Sequence, residues 1–136
     1  MNDAVFGAAG EVSGTARRYY CLGVYIYKGP RQLWCVGETA VPLTHKESVL
    51  FELFAAYCEQ QAAYVSTFAC CASLWPIDVS RPANYRHSLE SHLCRLRQKL
   101  RDSQCGVGIS SERSGVLVEN SHIGYRLAKN PQSSAV

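Results

Sequence analysis

The side chains best suited to chemistry in this sequence are its seven cysteines and four histidines. The cysteines are odd in number and none is spaced C-x-x-C, so we expect buried thiols in a reducing compartment rather than a disulfide framework. His87 and His92 are five residues apart, which places them on different faces of a helix and not as a pair of metal ligands. No nucleophile elbow, phosphate-binding glycine loop or pair of carboxylates occurs. We therefore expect no enzyme, and no catalytic residue, cofactor or metal site.

Positive charge is concentrated in one segment of the chain. The whole sequence of 136 residues has a formal net charge of +3, but residues 81–101 alone hold six cations against one acid, a net charge of +5. Residues 1–80 have a net charge of −2 and residues 102–136 a net charge of zero. A basic segment of this kind is typical of proteins that bind nucleic acid. Cations near the C-terminus of a helix are also favoured by the helix dipole without any ligand, so the charge alone leaves both interpretations open.

The elements that position this segment follow from hydrophobic periodicity and turn residues. Aromatic and β-branched residues interrupted by glycine over residues 19–43 predict short strands in a small antiparallel sheet. Thr44-His45-Lys46-Glu47 is a capping box that predicts the start of a first helix, and Ser66 predicts the N-cap of a second. Apolar residues spaced three and four apart predict a third helix over residues 83–101.

The third helix has one apolar face and one polar face. Tyr85 and four leucines form a narrow apolar stripe that commits one side of the helix to a core. The opposite face has side chains that donate or accept hydrogen bonds, with arginines at its borders. Such a face suits the major groove of DNA, where these side chains reach base edges and the cations meet phosphates. Its members are His87, Ser91, Cys94 and Gln98 at the centre, Arg95 and Arg101 beside them, and Arg97 nearer the apolar stripe.

The C-terminal part of the sequence predicts a hairpin. Ser103–Gly115 is rich in glycine and serine and indicates a loop, whereas Val116–Val118 and Tyr125–Leu127 predict two paired strands. No segment has the roughly 20 mainly apolar residues of a membrane span, so we expect no membrane segment in this chain. The expected organisation is a flexible N-terminal tail over residues 1–18, one domain over residues 19–128 and a C-terminal tail over residues 129–136.

Four short motifs, taken in order, resemble the OmpR/PhoB-type winged-helix DNA-binding domains of bacterial transcription regulators. The resemblance covers roughly residues 20–127. It implies an α+β fold of the winged helix-turn-helix type, with an N-terminal antiparallel β-sheet of four strands, a three-helix core and a C-terminal β-hairpin wing. The motifs are Leu43-Thr44 with Glu47, Val65-Ser66 before Leu74-Trp75, the segment Leu93–Leu100, and Gly124-Tyr125-Arg126-Leu127.

The resemblance also implies a function, which is sequence-specific binding of double-stranded DNA by a cytoplasmic, nucleoid-associated transcription regulator. The helix over residues 83–101 would lie in the major groove and the wing over residues 116–127 at the minor groove. Two copies of the protein would bind direct repeats of DNA roughly 10 base pairs apart. The loop over residues 76–86 would contact RNA polymerase. The DNA-contacting positions of the family fall on His87, Ser91, Cys94, Arg95 and Arg97 in the helix, on Trp75 and Tyr125 near the DNA backbone, and on Ser121 at the wing tip.

Two positions depart from the family, because a basic residue is common where Cys94 stands and an arginine where Ser121 stands. Fewer cations favour an alternative function, a winged-helix protein-interaction module that docks on RNA polymerase or another regulator through residues 76–86. A third interpretation, the cytoplasmic part of a membrane-anchored regulator similar to the ToxR group, ranks lower because the sequence ends without an anchor. No receiver domain is expected within this length.

The cysteines have two interpretations as well. Free cysteine usually packs as a small hydrophobic residue, and this is the expected role of most of the seven. Cys94 is the exception to consider, because it lies on the face that would meet DNA, next to Arg95. Oxidation of its thiol would add bulk or charge to that face, which makes Cys94 a candidate redox switch.

Overall fold

The computed structural model describes residues 17–61, 64–77, 79–113 and 123–129, which form an α+β fold. In the N-terminal part, four short strands pair in chain order into one antiparallel sheet. These strands are β1 (Arg18–Cys21), β2 (Val24–Lys28), β3 (Leu33–Val36) and β4 (Thr39–Pro42). A single 3-10 turn, Pro30–Gln32, lies between β2 and β3.

Three helices and a second antiparallel sheet complete the described part of the chain. The helices are α1 (His45–Glu59), α2 (Thr67–Leu74) and α3 (Tyr85–Ser103). The strands of the second sheet are β5 (Val65–Ser66), β6 (Val107–Arg113) and β7 (Ile123–Lys129). The order across this sheet is β5–β7–β6, so the last strand lies in the middle. The α+β class, the N-terminal antiparallel sheet and the three helices predicted from the sequence are confirmed.

The N-terminal sheet forms because its side chains alternate between a buried and an exposed face. Ile26, Trp34 and Val41 lie on the inner face and are completely buried. Leu22 and Gly23 join β1 to β2 with φ angles of 54° and 81°. Two successive positive φ angles define the two-residue turn that matches the twist of a hairpin, and glycine adopts this conformation without strain.

The predicted starts of α1 and α2 are confirmed by their caps. The Thr44 hydroxyl accepts a hydrogen bond from the N–H of Glu47 (3.3 Å), and the Glu47 carboxylate accepts one from the N–H of Thr44 (3.0 Å). The Ser66 hydroxyl accepts from the N–H of Ala69 at 3.0 Å. These bonds satisfy amide groups that have no partner within the first turn of a helix.

The third helix is displaced by two residues from its predicted limits. It begins at Tyr85 instead of residue 83, because residues 83–84 form a turn. It continues to Ser103 instead of residue 101, and Gln104 ends it in the left-handed conformation with a φ of 56°. The displacement adds Asp102 to the helix.

One hydrophobic core joins the two sheets and the three helices. The Trp34 indole nitrogen donates to the Ser48 hydroxyl at 2.7 Å, and its ring meets Phe51 edge-on with the centroids 5.1 Å apart. The indole of a buried tryptophan needs such a partner, and Ser48 on α1 supplies it. Four leucines of α3 are buried in the same core, namely Leu89, Leu93, Leu96 and Leu100.

The C-terminal hairpin differs from its prediction. Residues 107–113, predicted as a loop, form the strand β6, which pairs with β7 from Val107 opposite Lys129 to Arg113 opposite Ile123. One glycine and two serines are among its seven residues, so the sequence signal for this strand is weak. The strand forms because its backbone pairs with β7 and because Val107 and Ile109 pack against the core. Residues 116–118, predicted as the first strand of the hairpin, lie outside the described residues.

Gly124 has no room for a larger side chain. A Cβ atom at this position would lie 2.5 Å from the Cβ of Tyr64 and 3.1 Å from its Cγ. We expect Gly124→Ala to lower the free energy of unfolding by about 2 kcal/mol through overpacking, measured by urea denaturation. Adding Tyr64→Gly removes both the Cβ and the ring that the new methyl group would meet, so the double variant should lose less stability than the sum of the single losses. An additive pair would contradict this explanation.

Candidate nucleic-acid interface

The apolar stripe of α3 determines which residues of the helix point away from the core. Because the four leucines are buried, the residues on the far side of the helix face outward. The structure thus brings the predicted residues of α3 together along one outward side. His87, Cys94, Arg95, Gln98 and Arg101 are exposed, and Ser91 is half-buried among them.

Hydrogen bonds organise the C-terminal end of this outward side. Arg101 donates from Nη1 to Oε1 of Gln98 (3.0 Å), and Gln98 donates from Nε2 to Oδ1 of Asp102 (2.8 Å). The three side chains therefore form a short chain on the surface of α3. Asp102 did not feature in the prediction, because the helix was expected to end at residue 101. Its carboxylate reduces the positive charge next to Arg101.

Arg95 is held by two neighbours on the opposite border of this side. Its Nη2 lies 3.0 Å from Nδ1 of His92, and its Nε lies 3.7 Å from Oε2 of Glu47. Burial and the Arg95 guanidinium lower the pKa of His92, which favours the neutral ring whose Nδ1 accepts from Arg95. The Arg95 side chain remains 55% exposed. It is therefore oriented by the protein but still accessible to an anion.

A buried carboxylate lies behind Arg95. Glu47 is 0% exposed, and its Oε1 accepts from Lys99 Nζ at 2.6 Å and from the Thr44 N–H at 3.0 Å. Burial raises the pKa of the Glu47 carboxyl, but the Lys99 ammonium and the Thr44 backbone lower it more, so the pKa lies below its ordinary value. Among the described residues Oε2 has no hydrogen-bond partner, and it lies 3.7 Å from Nε of Arg95. Lys99 is thus a structural cation, although it belongs to the basic segment.

Arg97 connects α3 to the C-terminal hairpin. Its Nε donates to the backbone carbonyl of Ile109 on β6 (3.3 Å), and its guanidinium lies 5.9 Å from the ring centroid of Tyr125 on β7. Both contacts point toward the hairpin and hold it against the helix. Arg97 is half-buried, so it positions the hairpin more than it presents charge to a ligand.

The two aromatic residues predicted to lie near a DNA backbone belong to the core. Trp75 is 9% exposed and Tyr125 is 5% exposed. Lys46 covers the Trp75 ring, with Nζ at 5.4 Å from its centroid. Burial raises the pKa of the Tyr125 hydroxyl, which hydrogen-bonds to Thr67. Both rings contribute mainly to packing, and the interface proposed below does not use them.

Ser121, the predicted tip of the hairpin, lies outside the described residues. The described part of the hairpin is its base, where β6 and β7 pair beside α3. The base alone places the two strands and the helix next to each other. The prediction for Ser121 stays a prediction.

The thiols separate into packed and accessible groups. Cys21, Cys70 and Cys71 are buried, and burial raises the pKa of the Cys70 thiol to about 12. Such a thiol is a poor nucleophile and behaves as a small hydrophobic side chain. Cys94 is exposed on the outward side of α3.

Comparison with known proteins identifies no relative of this chain. No family model matches the chain, and no curated protein and no solved structure matches it at a significant level. Among the described residues, no helix is both long enough and apolar enough to cross a membrane.

Proposed function

We propose that this chain is a winged-helix transcription regulator of the OmpR/PhoB type that binds double-stranded DNA. The observation that carries the proposal is the outward side of α3, an ordered row of hydrogen-bonding and basic side chains on a 19-residue helix whose other side is buried. A helix of this length presents such a row to the major groove without rearrangement of the core.

The contacts divide by chemistry. His87, Ser91 and Gln98 have donors and acceptors for base edges, while Arg95 and Arg101 are the exposed cations for phosphates. In this proposal, the hairpin of β6 and β7 is the wing and reaches the neighbouring minor groove. Arg97 holds the wing beside the helix through Ile109.

The wider features of the proposal follow the family. Two copies bind head to tail on direct repeats about one helical turn apart. The protein acts in the bacterial cytoplasm on the nucleoid, and the segment over residues 76–86 contacts RNA polymerase. The proposal contains no catalytic step and no cofactor.

Selection from a random duplex library is the experiment that tests this function. Repeated rounds of binding and amplification should enrich a sequence that contains two direct repeats, and footprinting should show protection of both repeats. The double variant Gln98→Ala/Arg101→Ala serves as the matched control and should enrich nothing. If the parent protein enriches no sequence at low salt, the proposed function is wrong.

Cys94 places this function under redox control. We expect a mild peroxide to lower the duplex affinity of the parent protein about fivefold or more, the equivalent of one lost base contact, because an oxidised sulfur would protrude from the outward side of α3. Cys94→Ser should keep its affinity in peroxide. The affinities are measured by fluorescence anisotropy, and an equal loss in both proteins would exclude Cys94 as the sensor.

A second candidate function is protein interaction through the segment between α2 and α3. Ile77 is fully exposed there and Val79 is 45% exposed, although both are large aliphatic side chains. Clustered exposed apolar side chains mark docking sites for other proteins, and these two aliphatic residues lie close together in the sequence. The structural roles of Lys99 and Arg97 leave fewer cations for DNA and support the same interpretation.

Capture from nuclease-treated cell extract separates the two functions. A partner bridged by DNA disappears with the nuclease, whereas a directly bound partner remains. The variant Ile77→Asp/Val79→Asp should lose a direct partner and keep its duplex affinity. A partner retained equally by the variant would exclude this segment as the docking site.

A further inference from the structure

The outer face of the N-terminal sheet is aromatic and uncovered by the described residues. Tyr20 on β1 and Tyr25 on β2 are 52% and 54% exposed. They are direct cross-strand partners, and their ring centroids lie 4.8 Å apart. The two ring planes are tilted by 58° to one another, and the rings form an aromatic cluster on the exposed face of the sheet. We call the surface formed by Arg18, Tyr20, Tyr25 and Tyr27 the tyrosine face.

The second cross-strand pair of the tyrosine face adds a cation. Arg18 lies opposite Tyr27, with its guanidinium 4.9 Å from the centroid of the ring. Tyr25 and Tyr27 are two residues apart on one strand, so the two pairs are separated by about 7 Å. An extended single strand of nucleic acid covers a similar distance between neighbouring bases. The guanidinium plane and the tyrosine rings are the surfaces on which unpaired bases stack.

Charge distinguishes between the partners that such a face would accept. Residues 17–43 hold four cations and one acid, a net charge of +3. Arg17 is paired with Glu59, whereas Arg18, Lys28 and Arg31 form no ion pair within the described residues. Of these unpaired cations Arg18 belongs to the tyrosine face, whose four residues include no acid, so the face repels a second copy of itself and attracts a polyanion. The bases of a duplex are already stacked on one another, so they are not available to stack on the tyrosine rings.

We propose that the tyrosine face binds single-stranded nucleic acid, with bases stacked on Tyr20, Tyr25 and the Arg18–Tyr27 pair and phosphates near the cations of the sheet. This site is separate from the outward side of α3 and does not depend on the proposed binding of duplex DNA. Binding of this kind tolerates many sequences, because every base has a stacking surface.

Fluorescence anisotropy with labelled oligonucleotides of about 15 nucleotides tests the proposal. The probes are oligothymidylate, oligouridylate and a duplex of the same length, so that single-stranded DNA and RNA are distinguished. We expect the full chain to bind at least one of the single strands. The variant Tyr20→Ala/Tyr25→Ala should bind it at least about tenfold more weakly, because two stacking surfaces are lost.

Three controls keep the result specific. Tyr20→Phe/Tyr25→Phe retains the rings and should keep single-strand affinity within about twofold. Phe68→Ala removes a 78% exposed ring outside the tyrosine face and should have no effect. Gln98→Ala/Arg101→Ala should weaken only duplex binding. Circular dichroism verifies that each variant is folded.

The proposal is overturned by any of three results. The first is that the parent protein binds neither single strand at low salt. The second is that Tyr20→Ala/Tyr25→Ala binds the single strand as tightly as the parent protein does. The third is that this variant loses self-association but keeps its oligonucleotide binding. Sedimentation at several protein concentrations measures the self-association. Failure of duplex binding alone would refute only the function proposed for α3.

Discussion

Replacing Glu47 with alanine is expected to lower the free energy of unfolding by about 3 kcal/mol. The substitution removes the buried partner of Lys99, removes the nearest anion to Arg95, and breaks half of the capping box at Thr44. An isolated cation next to a core costs more than the ion pair itself contributes, because its hydration is not fully restored. Urea denaturation measures the loss. Glu52→Ala is the matched control on the exposed side of α1, where Glu52 accepts from the Tyr19 hydroxyl, and should cost under about 1 kcal/mol.

The same carboxylate makes stability depend on pH. Because the fold lowers the pKa of Glu47, its ionised form contributes stability that is complete above the ordinary carboxyl pKa of about 4.3. That contribution is lost as the pH falls through the lower pKa of the folded state. When the free energy of unfolding is plotted against pH from about 7 into the acid range, the curves for the parent and Glu47→Gln should therefore converge as the pH falls, while the curve for Glu52→Gln stays parallel to that of the parent. Parallel curves for all three would show that Glu47 carries no such linkage.

The fold was predictable where local signals agree with the packing. Thr44 and Ser66 are strong cap residues followed by helical periodicity, and each caps a helix as predicted. The leucine stripe of α3 predicts its buried face because four apolar residues leave no alternative side for the core. In these segments propensity, periodicity and capping all favour the same conformation.

The parts that were missed depend on contacts between distant residues. Residues 107–113 have little strand propensity of their own and form β6 only because β7 is available for pairing. The capping box identified Glu47, but its second role requires Lys99, which is 52 residues away in sequence. Charge summed over residues 1–80 also hid the basic N-terminal sheet, since six acids outside the sheet, three of them in α1, offset its cations. Spacing along the chain contains none of this information.

The cations of the candidate interface have roles in the structure that differ from those predicted from the sequence. From the family resemblance, both Arg95 and Arg97 were predicted to contact DNA. The structure distinguishes them, since Arg97 bonds to Ile109 while Arg95 stays 55% exposed. Arg101 is exposed as well, and its Nη1 donates to Gln98. Duplex binding should therefore depend on Arg95 and Arg101 for affinity and on Arg97 for the position of the wing.

The variant Arg95→Ala/Arg101→Ala is accordingly expected to bind duplex DNA more weakly and with less dependence on salt. Each phosphate contact releases condensed cations, so the slope of log affinity against log salt should fall by about 0.9 per contact, or about 1.8 for the double variant. Stability should change little, because both side chains are exposed and Glu47 keeps its hydrogen bond from Lys99 when Arg95 is removed. Anisotropy with the selected duplex at several salt concentrations measures affinity and slope together.

Two further variants test whether the salt dependence of duplex binding arises from phosphate contacts of α3. Lys28→Ala removes an exposed cation from β2 and should leave the slope for duplex DNA unchanged. Arg97→Ala should lower thermal stability as well as affinity, because it releases the hairpin from Ile109 and Tyr125. If Arg95→Ala/Arg101→Ala keeps both its affinity and its slope while Lys28→Ala loses them, the duplex lies on the N-terminal sheet and α3 is not the recognition helix. A reduced slope confined to the α3 variant would place the phosphates along its outward side, with Arg97 acting on binding only through the wing.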